Sequence, residues 1–119
     1  MKPFSILFTI LLVLNSTTFQ AQHKIGIFDG QIGIGNPKVK GSATFNSDNQ
    51  TYTIDGAGTN MWFEKDEFQY LWTTLQGDFI LRTTVNFEGK GKDPHRKAGW
   101  IIKNNLDDNS AHVNASTHG

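Results

Sequence analysis

The chain has 119 residues, with 11 basic and 11 acidic side chains and no cysteine. That balance gives no electrostatic footprint for nucleic acid or for an anionic membrane surface. The missing thiols exclude a disulfide-stapled scaffold and a cysteine-anchored lipoprotein, so any fold must rest on a packed core.

The first segment reads as a signal-peptide helix over residues 1–21. Lys2 supplies a positive start, Phe4 to Leu14 is an apolar run, and Gln20-Ala21-Gln22 offers a small residue for cleavage. The run is shorter than the roughly 20 residues that cross a bilayer, so no membrane span is expected in the mature chain. Residues 22–119 then form the domain, in a periplasmic or extracellular setting.

Ile25 to Phe28 is a short apolar stretch ending at the turn pair Asp29-Gly30. Gln31 to Lys40 holds Gly33, Gly35 and Asn36-Pro37, and a proline without an N–H predicts loop or edge here. Gly41–Phe45 and Thr51–Asp55 flank a turn-rich Asn46–Gln50, the pattern of a hairpin with a five-residue loop. Met61-Trp62-Phe63 predicts a buried strand end. Phe68–Leu75 fits both periodicities, and its aromatics and threonines favour strand.

Asp78–Phe87 has the strictest alternation. Phe79, Leu81, Thr83, Val85 and Phe87 point one way and Ile80, Arg82, Thr84 and Asn86 the other, which predicts a strand with one face on a core. Gly89–Lys97 is a polar loop with a positive bias. Ala98–Lys103 and Ala111–Thr117 predict two further strands around a turn cluster at Asn104–Ser110. Short strands with frequent turns and no helix predict an all-β antiparallel sandwich or jelly roll.

The chemical motifs are sparse. Gly33-Ile34-Gly35-Asn36-Pro37-Lys38 lacks the third glycine and the helix of a phosphate-binding loop. The histidines do not converge; His112 and His118 share strand parity but would sit about 20 Å apart if extended. The acidic pairs Asp66-Glu67 and Asp107-Asp108 are adjacent, so strand members would face opposite sides, unlike the carboxyls of a glycosidase. No nucleophile elbow is present. No metal, cofactor or catalytic residue is expected.

Several segments together carry a family likeness. They are Gly26-Ile27-Phe28-Asp29-Gly30, Gly58-Thr59-Asn60-Met61-Trp62-Phe63, Asp66-Glu67-Phe68, Gly77-Asp78-Phe79, Asp93-Pro94-His95-Arg96-Lys97-Ala98-Gly99-Trp100 and Leu106-Asp107-Asp108, with His118-Gly119 at the end. In this order the chain resembles the N-terminal concanavalin A-like lectin/glucanase domain (DUF1349-type) of secreted Bacteroidetes proteins labelled TolB-like. The resemblance implies a concanavalin-like sandwich that is incomplete here, with further strands and then a β-propeller downstream, on which the module packs. It implies a gene fragment whose last residues fall mid-domain. An open sheet edge and an uncovered apolar face then predict that residues 22–119 expressed alone aggregate or remain partly unfolded.

The expected function is non-catalytic: a module binding carbohydrate or contacting protein. Candidate contact residues are Asp66, Glu67, His95, Arg96, Lys97 and His118. The Pro94–Lys97 loop stands out because it joins an imidazole to two cations in a neutral chain. The alternative is the leading part of a secreted glycoside hydrolase with its carboxylates beyond residue 119.

Overall fold

The computed structural model describes residues 23–119, and the signal-peptide helix expected over residues 1–21 lies outside the described residues. The described chain is all-β, with no helix. Its strands are β1 (Gly30–Ile34), β2 (Ser42–Asn46), β3 (Thr51–Asp55), β4 (Phe68–Trp72), β5 (Lys97–Lys103) and β6 (His112–His118). They pair antiparallel as three two-stranded sheets, β1–β4, β2–β3 and β5–β6. This is consistent with an incomplete β-sandwich. None of the described residues forms a helix long and apolar enough to cross a membrane.

The local chemistry explains most boundaries. Ile25 and Phe28 exchange backbone hydrogen bonds across Gly26-Ile27, and Gly26 supplies the positive φ this tight turn needs. The turn faces Ile27 outward and buries Phe28. In the β2–β3 hairpin Asn46 pairs with Thr51, so the loop is Ser47–Gln50, one residue shorter than the sequence predicts. Asn46 Oδ1 accepts from the Asp48 N–H at 2.9 Å, which lets Asn46 close the turn while staying in the ladder.

Gly30–Ile34 is a strand with one neighbour, the edge alternative of the sequence reading, and Pro37 lies beyond it, after a turn in which Asn36 N–H donates to the Gly33 carbonyl. Two sequence expectations are corrected. Met61-Trp62-Phe63 is not a strand end. Met61 is buried, but the chain turns, and Phe63 is 99% exposed with φ at 75°. Asp78–Phe87 half-buries Leu81, Val85 and Phe87 of its expected core face but leaves Phe79 and Thr83 exposed, and it makes no ladder with the described strands. Alternation selects a face, whereas a strand also needs a neighbour to accept its N–H groups.

The buried apolar side chains of the described residues are Phe28, Ile34, Ala43 and Met61. Aromatic contacts extend this small core. Phe28 meets Tyr52 edge-on at 5.2 Å and Trp100 at 6.5 Å, and Tyr52 meets Phe45 across the β2–β3 pair at 4.5 Å. Tyr52 also accepts the Ile27 N–H on its hydroxyl. The indole N–H groups of Trp72 and Trp100 are buried with no partner among the described residues.

Tyr70 ties one sheet to another. Its hydroxyl donates to the Ile101 carbonyl at 2.8 Å, bridging β4 and β5. Burial pushes that hydroxyl above its ordinary value of 10.0. The folded state therefore keeps the proton where the unfolded state releases it. The stabilisation is complete below pH about 10 and declines as pH rises further. Tyr70→Phe is expected to cost about 1 kcal/mol at neutral pH and to flatten the alkaline decline. Urea midpoints at pH 8 and pH 11, read on tryptophan fluorescence, check this; an unchanged alkaline slope would reject it.

Candidate functional site

The six candidate residues fall into two places, at opposite ends of β5. Over a seven-residue strand those ends are about 20 Å apart.

Asp66 and Glu67 belong to the Lys103 end, and both carboxylates are occupied. Asp66 is 4% exposed. Its Oδ2 accepts from Lys103 Nζ at 2.5 Å, and His112 Nδ1 lies 3.3 Å from the same oxygen. Lys103 and His112 face each other in the β5–β6 register, so the ladder itself brings both to the carboxylate. Lys103 Nζ also donates to the Ser110 carbonyl at 3.2 Å and lies 5.8 Å from the centre of the Phe68 ring. The Asp66 N–H donates to the Asp108 carbonyl at 2.7 Å, fixing the loop from the backbone side. The lysine side chain is 1% exposed, so this ion pair is an internal tie between the 60s loop and the β5–β6 hairpin.

Glu67 closes a neighbouring turn. Its Oε2 accepts from both the Thr59 N–H at 3.1 Å and the Thr59 hydroxyl at 2.7 Å. Gly58 makes the approach possible: its φ is 95°, and a Cβ there would fall on the Glu67 carbonyl.

His95, Arg96, Lys97 and His118 form the other group, at the open end of the hairpin. Asp93 shapes the loop, its Oδ1 accepting the His95 N–H at 2.7 Å and its carbonyl accepting the Arg96 N–H. Lys97 then opens β5 and pairs with His118 on β6. This register sets the His95 and His118 rings edge to face, 6.4 Å apart, and both side chains are exposed. The Arg96 guanidinium lies 4.9 Å from the centre of the Phe87 ring, and its Nη1 donates to the Glu88 carbonyl. Lys97 Nζ lies 5.7 Å from the centre of the Trp62 ring.

The aromatic members were not assigned to this surface from sequence. Trp62 is 47% exposed and neighbours the exposed Phe63. A bulky residue at positive φ costs about 1–3 kcal/mol and persists where the surroundings enforce it. The sequence does carry one sign of this: Trp62-Phe63 is followed at once by Glu64-Lys65, a polar pair out of place on a buried strand. For Lys103 and His112 the sign is weaker. A lysine shares strand parity with Ile101, but only the fold shows which carboxylate meets it.

The described residues hold no group of three or more His, Asp or Glu side chains placed to bind a metal ion. Comparison of the chain with protein-family models, with curated proteins and with solved structures yields no match.

Removing one member of a buried ion pair leaves the other charge without compensation. Asp66→Asn is expected to cost about 3 kcal/mol of local stability. The combined change Asp66→Leu with Lys103→Met removes both charges and should recover most of it. Amide hydrogen exchange in β5 and β6 measures the effect. Equal protection in the native chain and Asp66→Asn would show that the pair holds nothing.

Proposed function

We propose that the chain is the non-catalytic β-sandwich module of an exported protein, and that it binds carbohydrate through the basic and aromatic surface at the open end of β5–β6. The observation that carries this reading is the gathering of four cationic or imidazole side chains at one hairpin end, where Lys97 lies against the half-exposed Trp62 and Arg96 against the half-buried Phe87. His95, Arg96, Lys97 and His118 come from two separated segments, and Lys97 reaches the half-exposed Trp62. A sugar presents apolar C–H faces and polar edges. Ring faces such as Trp62 and Phe63 suit the first, while the N–H donors of Arg96 and Lys97 suit hydroxyl or carboxylate oxygens.

Export is part of the same proposal and rests on the charge–apolar–small order of residues 1–21. The family likeness adds a propeller downstream, on which the module packs. Within that arrangement the hairpin end is the surface that meets the ligand, or a protein partner in its place.

A glycan array probed with the purified chain tests the reading. Binding to a subset of glycans is expected, and Trp62→Ala and Lys97→Ala should each weaken it about tenfold or more. If the folded chain bound no glycan and Arg96→Ala lost no protein partner, the surface would have no binding role.

A further inference from the structure

The segment Phe79–Phe87 has the pattern of a strand without a strand's partner. Leu81, Val85 and Phe87 are half-buried, while Ile80 is 80% and Phe79 44% exposed. No backbone hydrogen bond joins residues 79–87 to any other described residue. The segment runs beside the β5–β6 hairpin, across an open cleft of about 620 Å³ lined by Leu81, Val85, Trp100 and Ser116 among others. An alternating segment with unmet N–H and C=O groups is a template for strand addition.

We propose that this segment pairs antiparallel with the same segment of a second copy of the chain, about a two-fold axis through Thr83. The sequence is self-complementary in that register. Phe79 faces Phe87, Leu81 faces Val85 and Thr83 faces itself, so the apolar faces of both copies coincide. On the other face Ile80 meets Asn86 and Arg82 meets Thr84, so no like charges oppose within the segment.

Neighbouring registers are worse. A slip of one residue sets the apolar face of one copy against the polar face of the other. A slip of two in one direction sets Arg82 against Arg82, and in the other it leaves Phe79 opposite Gly89. At each end of the favoured ladder Asp78 meets Glu88, and this like-charge pair confines the pairing to Phe79–Phe87. In that register the 44% exposed ring of Phe79 gains a same-face neighbour, Phe87 of the second copy.

Sedimentation velocity of the whole chain over a concentration series tests the pairing, with a reversible dimer as the expected result. With Thr83 as the close, non-hydrogen-bonded pair on the axis, Arg82 and Thr84 exchange the ladder bonds, so Thr84→Pro removes an N–H from each side and should leave monomer. Glu88→Lys turns the end repulsion into attraction toward Asp78 of the second copy, and should tighten association about fivefold. Because the chain has no cysteine, single replacements give a clean cross-linking readout. With oxidised glutathione as oxidant, Thr83→Cys should form a disulfide dimer. Arg82→Cys should not, since its copies sit on a diagonal about 7–8 Å apart.

A monomer at every concentration overturns the proposal, as does equal cross-linking of the two cysteine variants. Association with a different polypeptide while the chain itself stays monomeric also overturns it. If Thr84→Pro fails to fold, Glu88→Lys and the cysteine pair still decide, because they leave every N–H of the segment in place.

Discussion

The arrangement depends on one buried interaction, the ion pair between Asp66 and Lys103. Two charges at 4% and 1% exposure are stable only because each has further partners. The carboxylate also meets His112, the ammonium also meets the Ser110 carbonyl, and the Asp66 N–H is anchored on Asp108. These contacts join a loop, two strands and the turn between those strands. The apolar core is too small to do this alone. Phe28, Ile34, Ala43 and Met61 are its buried members, while Ile27, Val39, Ile80 and Val113 stay largely exposed. Directional contacts therefore carry an unusual share of the order: a charge pair at one point, a tyrosine hydroxyl at another.

How much was legible in the sequence follows from this. The hairpins β2–β3 and β5–β6 were readable because their turns are local. Asn46 and Asn105 make Asx contacts two residues ahead, and such signals survive without tertiary context. The β4 strand was readable from its aromatic content. For Gln31–Lys40 the proline leaves loop and edge strand both open, and Gly30–Ile34 becomes the edge strand through pairing with β4, nearly forty residues away. Phe79–Phe87 fails in the opposite sense: its local pattern is strong, but the ladder needs a neighbour that the described residues do not supply. The surface group was half legible. A basic loop reads from sequence, whereas the company of Trp62 and Phe87 depends on where the chain returns.

The two ends of β5 illustrate a division of labour along one strand. At Lys103 a cation is drained of its chemistry by full enclosure. At Lys97 a cation of the same type sits against a half-exposed indole and remains in reach of solvent. The difference lies in the neighbours. Lys103 faces Asp66 and His112, while Lys97 faces His118, an exposed imidazole at the end of the ladder.

The three tryptophans occupy different electrostatic worlds, and this gives the molecule an intrinsic optical map. Trp72 and Trp100 have indole N–H groups that are buried and unpaired among the described residues, and their rings are only part-exposed, so water relaxes around their excited states less than around that of Trp62. Trp62 is half open to water and has a cation above its ring. Its emission should lie to the red of the other two and be quenched selectively by iodide. The blue edge of the spectrum then reports the interior, and the red edge reports the hairpin end, in one sample without a label.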